Sequence, residues 1–567
     1  MENLNVLTVV FTLFLIILSS SLVYFPIMNK FSSSWSIFNS KNRDSTYFDP
    51  KLKKIYNYII SNDENGGIPS GLQNDGNTCF MNSVIQSLSS SQLFTNFLDE
   101  YSSNSNNKLI FSNALNNLIN QLNELNNKKT KTYTTKNLLK AMKDSPNKHL
   151  FLGYNQEDAE EFYQNVMKQI EVEFKSTLNE KPNKDAILLP ENGITGLQKL
   201  DSLDSLGPVY IPQNLIDTSI KSDKYVPFNL ITPVDGIQCD RIGCLECGEI
   251  GGIRFSVLSG LSLNMPSSQF NHYQLTDLLD EFTSTEVIDG VECNRCGLNN
   301  MRDNLCEKLD QLKESNSANI LIEKISNRID EIDDVLKLNS INDDIYKKLH
   351  TKNSIIKCRK IKQSYLARPP PLLTIHINRS VFDPTTYRIR KNNSKVDFPM
   401  ILNMSNYIAE PSNINLDARK SFKINETNEL NYSLKAVISH YGTHNYGHYI
   451  CYKKIRGIWW YISDETVRIV TKDEVLNSEG TYMLFYEIGI DSNDIYEELG
   501  MENVPESESD SDSSDSGDDD KDKGEIDSNS TSDSETKMEE SSNVPMDSET
   551  SQDSESAAQI ANIQANL

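Results

Sequence analysis

Two distant segments of the chain hold residue types that carry out nucleophilic catalysis. In the first, a Gly- and Asn-rich turn that starts at Gly71 leads to Cys79, and the apolar residues after it predict a helix that begins at this cysteine. The positive end of a helix dipole lowers the pKa of a thiol. Asn74 is an amide donor that can point at a developing oxyanion. A buried cysteine beside an ordinary turn fits this segment equally well.

The second segment, His440–Tyr449, contains three of the seven histidines of the chain. His448 follows a glycine and opens a predicted strand, a position from which an imidazole can project into a cleft. Cysteine and histidine partners in catalytic sites are usually far apart in sequence. A polar residue of the neighbouring strand, within Trp459–Val467, can hold the ring through its other nitrogen. We therefore predict Cys79 as nucleophile and His448 as its base.

Two C-x-x-C pairs, Cys244 with Cys247 and Cys293 with Cys296, predict a structural zinc site. Four thiolates close a tetrahedral coordination sphere and leave no position open for catalysis. Free thiols are the alternative. Nine cysteines with this spacing also favour a reducing, cytosolic environment over a disulfide framework. The remaining thiols and one histidine in an apolar strand are interpreted as ordinary structural residues: Cys239, Cys306, Cys358, Cys451 and His376.

Five segments, in order along the chain, resemble the sequence boxes of the ubiquitin-specific proteases, the ubiquitin carboxyl-terminal hydrolases of peptidase family C19. The first is the cysteine box and the last is the histidine box. The segments are Gly71–Leu88, Gln156–Phe162, Pro371–Arg379, Lys395–Pro399, and a final group made of Tyr441–Lys454, Trp459–Val467 and Thr481–Tyr486. The resemblance covers the chain from Gly67 to Ile488.

This resemblance implies an α+β, papain-like cysteine protease fold with thumb, palm and zinc-ribbon fingers. The cleft between thumb and palm would hold the carboxyl terminus of ubiquitin. Cys79 would attack the carbonyl of its last glycine, and His448 would accept the thiol proton. Asn74 would stabilise the oxyanion, and the thioester would then be hydrolysed. Asp158, in the helical thumb, would contact the extended ubiquitin tail.

The chain departs from the family pattern at Ser463, where most members have Asp or Asn. A serine hydroxyl accepts a hydrogen bond from His448 but, without a charge, stabilises an imidazolium less; Asp464 would share this task. A membrane-anchored mitochondrial branch of the family also has serine at the equivalent place. We therefore expect an active deubiquitinase of modest rate. The alternative is a catalytically weak, membrane-bound ubiquitin-binding scaffold. A third alternative, a lysosomal papain-like peptidase, would need a signal peptide, a prosegment and disulfides, and the thiol pattern argues against it.

The run Val6–Phe25 has twenty residues and no charge, which matches the length of a membrane-spanning helix. A cleaved signal peptide is the alternative, but Glu2 and the absence of Lys or Arg before the run disfavour it. Basic residues from Lys30 onward place the rest of the chain in the cytosol. By family resemblance we expect the mitochondrial outer membrane, with the endoplasmic reticulum as the alternative.

Most of the negative charge lies at the end of the chain. The formal net charge is -25, and residues 501–567 contain 20 Asp or Glu against 3 Lys, which accounts for -17 of it. This segment has no aromatic residue and cannot bury enough surface to fold. Binding to nucleic acid would need a basic face, and nothing in the sequence indicates one. The resemblance implies ubiquitin and ubiquitinated proteins as partners, and the predicted anchor implies the membrane.

These patterns give a prediction for the whole chain. The predicted parts are a transmembrane anchor (1–28), a tether (29–65), a catalytic domain (66–490) with a helical insertion at about 302–357, and a disordered acidic tail (491–567). Residues 79–180 are predicted to be mostly helical, and apolar residues from Ile322 to Leu336 at spacings of 3 and 4 predict an amphipathic helix or a short coiled hairpin in the insertion. Strands are predicted at 252–263, 371–377, 433–439, 448–454, 458–462 and 481–488.

Overall fold

The computed structural model describes ten stretches of the chain: residues 67–104, 109–126, 130–142, 158–177, 185–268, 272–315, 318–350, 355–383, 387–443 and 446–491. The chain divides into two units, Met1–Asn503 and Val504–Leu567, and all described residues belong to the first. The predicted anchor, tether and acidic tail lie outside the described residues, apart from Asp491. None of the helices within the described ranges combines the length and the hydrophobicity that a membrane span requires.

Eleven α-helices are described. Eight of them fall in two groups that are far apart in sequence, residues 79–177 and 294–349. The helices are α1 (Cys79–Leu88), α2 (Gln92–Asn104), α3 (Ile110–Asn123), α4 (Lys136–Ala141), α5 (Ala159–Thr177), α6 (Gln213–Ile216), α7 (Leu275–Thr283), α8 (Asn294–Glu314), α9 (Asn319–Leu336), α10 (Asp343–Leu349) and α11 (Lys472–Leu476).

Twenty strands are described. They are β1 (Gly71–Leu72), β2 (Thr132–Tyr133), β3 (Gly207–Pro212), β4 (Tyr225–Leu230), β5 (Gly236–Cys244), β6 (Ile250–Leu258), β7 (Leu261–Asn264), β8 (His272–Gln274), β9 (Glu286–Glu292), β10 (Lys357–Arg368), β11 (Leu372–Asn378), β12 (Ser380–Asp383), β13 (Arg388–Lys391), β14 (Lys395–Asp397), β15 (Ile401–Asn403), β16 (Asn431–Gly442), β17 (Gly447–Ile455), β18 (Ile458–Ser463), β19 (Thr466–Ile469) and β20 (Thr481–Ile488).

The largest sheet has the strand order β19-β18-β17-β16-β20-β11-β7, and β15 also pairs with β16. Neighbours are antiparallel except β11 and β7, which run parallel. Both faces are covered, because alternate residues of one strand belong to different cores. In β20, Leu484 and Tyr486 lie in one core, whereas Met483 and Phe485 lie in the other.

Helices α1, α3 and α5 form one core with this sheet. Phe80 of α1 packs edge-to-face on Phe162 of α5, with ring centroids 5.9 Å apart, and both rings are fully buried. Apolar residues of α3, such as Leu115 and Ile119, complete the core. On the opposite face, α7 and the tryptophans of β18 fill the second core. The helix that carries Cys79 is thus fixed against the strands that carry His448.

A second sheet, β6-β5-β10-β9, carries the helical insertion. Helices α8, α9 and α10 enclose a small apolar core in which Ile332 is fully buried and against which Val335 and Leu336 pack. The predicted amphipathic helix is therefore confirmed, and its apolar stripe faces its own neighbours. The helical segment begins earlier than predicted, because α8 starts at Asn294, directly after Cys293.

Within the described residues the other element predictions are confirmed with two differences: the short strand β2 lies inside the run predicted as helical, and one predicted strand is divided. The run predicted as a strand over 252–263 forms two strands, β6 and β7, separated at Gly260. Gly260 has φ +138, and a Cβ there would lie 2.7 Å from Thr374 Oγ1. Only glycine adopts this backbone conformation readily, and it also permits the close approach of the neighbouring strand. The mixed architecture of helices and sheets agrees with the predicted α+β class.

Candidate active site

Cys79 is the first residue of α1, as predicted, and the preceding turn is held by Asn74. Asn74 Oδ1 accepts hydrogen bonds from the backbone N–H groups of Gly76 and Thr78, each at 3.1 Å. Gly76 and Asn77 both have positive φ, at 94° and 50°. Glycine and asparagine tolerate this conformation better than other residues do. The Gly/Asn-rich sequence therefore forms a tight turn that delivers the cysteine to the helix start.

The Cys79 thiol does not show the lowered pKa that its position at a helix N-terminus led us to predict. Its side chain is 3% exposed, and burial raises its pKa to about 11. Backbone hydrogen bonds lower the pKa, chiefly one with Tyr449, while the charge of Asp464 raises it further. Desolvation outweighs the helix dipole here because a thiolate loses its hydration in this apolar core. The thiol therefore needs a neighbouring base to become nucleophilic.

His448 is the second residue of β17 and pairs with Tyr441 of β16. Its Nε2 atom lies 2.7 Å from Ser463 Oγ and 3.9 Å from Asp464 Oδ2. Both residues that were predicted to orient the ring therefore face the same nitrogen. The serine is in hydrogen-bond contact, and the carboxylate is within ion-pair distance. The His448 side chain is 42% exposed, so one side of the imidazole remains open to solvent.

The Asp464 carboxylate joins the cysteine segment to the histidine segment. It accepts a 2.8 Å hydrogen bond from Asn74 Nδ2 and a 2.7 Å hydrogen bond from Asn82 Nδ2. Burial raises the pKa of Asp464, and the hydrogen bond from Asn82 opposes this shift. Asn82 was not among the predicted site residues. Its position three residues after Cys79, on the same side of a predicted helix, was the signal in the sequence.

A tight hairpin turn gives Asp464 this position. Ser463 and Thr466 pair at the end of β18 and β19, so Asp464 and its successor form a two-residue turn, in which Asp464 has φ +52. Asp tolerates the positive φ that such turns require. The turn also touches β1, because Leu72 N donates to Asp464 O at 2.9 Å. At Gly71, a Cβ would lie 2.7 Å from the same oxygen, so only glycine permits the contact.

Asp158 immediately precedes α5 and caps it. Its Oδ1 atom accepts a 2.7 Å hydrogen bond from the Glu160 backbone N–H, and its Oδ2 atom accepts one of 2.5 Å from Tyr482 Oη. The Tyr482 ring packs edge-to-face on Tyr449, the residue after His448, with centroids 5.5 Å apart. Asp158 is exposed. The structure therefore holds this carboxylate at the surface near the predicted catalytic pair.

The four predicted zinc ligands come together at one end of the second sheet. The Sγ atoms of Cys244 and Cys296 are 3.8 Å apart, and those of Cys247 and Cys293 are 3.6 Å apart. All four lie within 4.8 Å of one another. Four sulfurs at about 2.3 Å from a tetrahedral zinc ion would be about 3.8 Å apart, so the spacing fits this metal.

A fifth cysteine, Cys358 of β10, packs against this cluster and is 6% exposed. It was interpreted from the sequence as an ordinary thiol. Its place follows from the register of the sheet, because Lys360 of β10 pairs with Cys244 of β5. No spacing of cysteines in the sequence predicts this contact. The fifth thiol is thus a feature that only the strand pairing reveals.

A cysteine at the start of a helix and a histidine at the start of a strand, linked through the contacts of Asp464, fit the arrangement of a cysteine peptidase. Comparison with known families makes the assignment more specific. The model of the ubiquitin carboxyl-terminal hydrolase family matches residues 70–486, which is most of the chain. The chain belongs to this family.

Individual relatives agree with the assignment. Ubiquitin carboxyl-terminal hydrolase 1 of Saccharomyces cerevisiae is 33% identical, over 75% of this chain and 80% of that protein. Ubiquitin carboxyl-terminal hydrolase 30 of Danio rerio is 24% identical, over 74% of this chain and 86% of that protein. The predicted function is confirmed at this level: the protein is a deubiquitinating cysteine peptidase.

Among solved structures, the chain is similar to one in the SAGA Ubp8/Sgf11/Sus1/Sgf73 DUB module bound to ubiquitin aldehyde. The TM-score is 0.47 at 20% identity, and the match covers 77% of this chain and 74% of that chain. A similarity of this size adds nothing to the family assignment, which depends on the sequence matches.

Proposed function

We propose that the protein hydrolyses peptide and isopeptide bonds after the carboxyl-terminal glycine of ubiquitin through a thioester on Cys79. His448 accepts the thiol proton, and the sulfur attacks the glycine carbonyl. The tetrahedral intermediate collapses as His448 returns the proton to the leaving amine. A water molecule, activated by His448, then hydrolyses the thioester and releases ubiquitin with a free carboxylate.

The observation that carries this proposal is the bridge formed by Asp464. One carboxylate contacts Asn74 and Asn82 around the nucleophile and lies 3.9 Å from the ring of the base. With Ser463 bonded to Nε2, the imidazole keeps Nδ1 for the thiol proton. Asn74 uses one Nδ2 hydrogen for Asp464, and the second hydrogen is the donor that we propose for the oxyanion.

Three parts of the family architecture are proposed for this fold. The helices α1 to α5 correspond to a thumb, the large sheet to a palm, and the second sheet with its cysteine cluster to fingers. Asp158 lies at the edge of the proposed thumb and has an exposed carboxylate. This carboxylate suits an extended ubiquitin tail because it can accept hydrogen bonds from basic side chains and backbone N–H groups.

We also propose that Cys244, Cys247, Cys293 and Cys296 bind one structural zinc ion. The sulfur spacing supports this ligand set, and two of its members lie on different elements, the end of β5 and the start of α8. Bound zinc would join the sheet to the helical insertion. Because all four positions of a tetrahedral ion are filled by protein ligands, the metal would stabilise the fold rather than take part in the reaction.

The proposed anchor is the uncharged run Val6–Phe25, with the catalytic domain in the cytosol. We propose the mitochondrial outer membrane as its location and the endoplasmic reticulum as the alternative. The full-length chain should remain in the membrane pellet after carbonate extraction, whereas a chain without residues 1–28 should be released. Co-purification with mitochondrial or endoplasmic reticulum markers separates the two locations. Release of the full-length chain by carbonate would contradict anchoring.

The test of the catalytic proposal is a reaction of the full-length protein, in detergent, with ubiquitin that carries a carboxyl-terminal thiol-reactive group. We expect a mass increase of one ubiquitin, absent in Cys79→Ala. Cys306→Ala is the matched control, because it removes a half-buried thiol of α8 and should react like the wild type. An adduct that persists in Cys79→Ala would contradict the assignment of the nucleophile.

The same reaction distinguishes the alternative function, a ubiquitin-binding scaffold of weak catalytic activity. Such a scaffold would bind ubiquitin but form no adduct at Cys79. The observation that favours it is Ser463, whose neutral hydroxyl contacts His448 where most family members have Asp or Asn. The Asp464 carboxylate, 3.9 Å from the same nitrogen, supplies a charge that the serine lacks and favours the active enzyme.

A further inference from the structure

His448 is the second residue of β17, and a buried histidine of the neighbouring strand β16, His440, lies against the residue before it. His440 is 6% exposed and precedes the end of β16 by two residues. Its backbone N–H donates to Gly480 O at 2.8 Å. Its ring stacks on Tyr449, with centroids 4.3 Å apart and planes inclined by 21°. His440 therefore supports Tyr449, the residue that follows His448. The backbone of Tyr449 in turn makes a hydrogen bond with Cys79.

A lysine from another part of the chain holds this histidine. Lys391, the last residue of β13, places its Nζ atom 3.0 Å from His440 Nδ1, 2.8 Å from His440 O and 3.2 Å from Gly442 O. An ammonium has three N–H donors and no acceptor, so all three contacts are donated by the lysine. This assignment makes Nδ1 the acceptor and puts the proton of the neutral His440 ring on Nε2.

The protonated side of the ring faces the residue before His448. In the described structure His440 Nε2 is buried without a hydrogen-bond partner, and a Cβ at Gly447 would lie only 2.3 Å from it. The ring and the backbone of Gly447 are thus in close contact. A rotation of the His440 ring would displace the start of β17, and the contacts with Lys391 oppose that rotation.

We infer that Lys391 is a positioning residue for catalysis, which acts through His440 to hold His448 and Tyr449 against Cys79. The inference rests on the proposed function and adds to it a group that touches neither the substrate nor the reacting atoms. Because near-attack geometry tolerates only small displacements, loss of this support should lower the catalytic rate more than the binding of ubiquitin.

The surroundings of Lys391 make its contacts with His440 and Gly442 dependent on pH. Burial, and then the guanidinium of Arg379, lower the pKa of Lys391 to about 8. The charges of Lys391, Asp158, Arg379 and His448 act on His440, and the rings of Tyr449 and Tyr482 pack against it. Burial lowers the pKa of His440 itself to about 4. His440 is therefore neutral throughout the neutral range. A deprotonated lysine keeps two N–H donors for three acceptors, so one contact is lost as the pH rises through about 8.

The experiment compares Lys391→Met with the wild type in the hydrolysis of a fluorogenic carboxyl-terminal ubiquitin reporter. We expect kcat to fall about 10- to 50-fold, with KM changed by less than about threefold. Lys395→Met is the matched control, because this lysine on β14 pairs with Asp397 at 2.7 Å and contacts none of the site residues named above. It should retain the wild-type kcat. An equal loss in both variants would overturn the inference.

The pH profile separates positioning from a merely structural role. The kcat of the wild type should decline above a pH of about 8, the pKa of Lys391. In Lys391→Arg, which stays charged, the decline should move to higher pH while most of the activity is retained. A wild-type decline that is unchanged in Lys391→Arg would overturn the inference even if the methionine variant does not fold. Absence of a ubiquitin adduct in the wild type would instead refute the proposed function.

Discussion

Alanine at Asp464 is expected to lower kcat/KM for a ubiquitin reporter by about 100- to 1,000-fold, because this change removes a charge that serves both halves of the site. The carboxylate accepts from Asn74 and Asn82, and it lies 3.9 Å from His448 Nε2. Its loss removes an acceptor from both amides, of which Asn82 keeps a 3.2 Å hydrogen bond to Gln73 O, and leaves an imidazolium without a counter-charge. A charged hydrogen-bond network of this kind contributes about 3 to 4 kcal/mol, which corresponds to the stated loss.

Alanine at Ser463 provides the comparison. Its hydroxyl makes a single neutral hydrogen bond with His448, and such bonds contribute about 1 kcal/mol. We therefore expect a loss of about 10-fold or less, with Asp464 still holding the ring. Steady-state kinetics should be accompanied by thermal unfolding, so that a folding defect is recognised. If Ser463→Ala were the more damaging change, the serine rather than the carboxylate would orient the base.

Removal of one proposed zinc ligand should have the largest effect on stability. Serine at Cys293 is expected to abolish stoichiometric zinc binding and to lower the unfolding temperature by at least about 10 °C, because structural zinc sites contribute folding free energy directly. The cluster joins β5 to the start of α8, and its loss releases the helical insertion from the second sheet. Metal analysis of the purified protein and thermal unfolding with and without a chelator measure both effects.

Cys306→Ser is the control for this prediction. Cys306 lies in the same helix, α8, is half-buried, and is not part of the four-cysteine cluster. It should keep the zinc content of the wild type and change the unfolding temperature by only a few degrees. Wild-type protein that contains no zinc, or a Cys293→Ser variant as stable as the wild type, would contradict the metal site.

The sequence alone predicted which residues could carry out the chemistry, because residue types and local context carry that information. Cys79 at a predicted helix start and His448 at a predicted strand start are where local patterns placed them. The C-x-x-C spacing brings two sulfurs close within each pair, whatever the rest of the fold. The periodic apolar pattern of α9 and the continuous apolar run of β20 were predicted as a helix and a strand for the same local reason.

Contacts between distant segments were decided by the tertiary structure. The bridge from Asp464 to Asn82 joins residues 382 positions apart, and the Lys391–His440 contact joins two strands of different sheets. No local pattern encodes such distances, because they depend on how sheets and helices pack. Strand register likewise put Cys358 beside the four-cysteine cluster.

Burial was the second quantity that only the tertiary structure decided. Lys453 would be expected at the surface from its type, yet it is fully buried, where its ammonium donates to Ser89 Oγ at 2.8 Å and burial lowers its pKa to about 7. The Cys79 thiol is the parallel case, because its pKa rises where the helix dipole alone predicted a fall. The cost of desolvating a charge depends on every atom around it, and these atoms come from all parts of the chain.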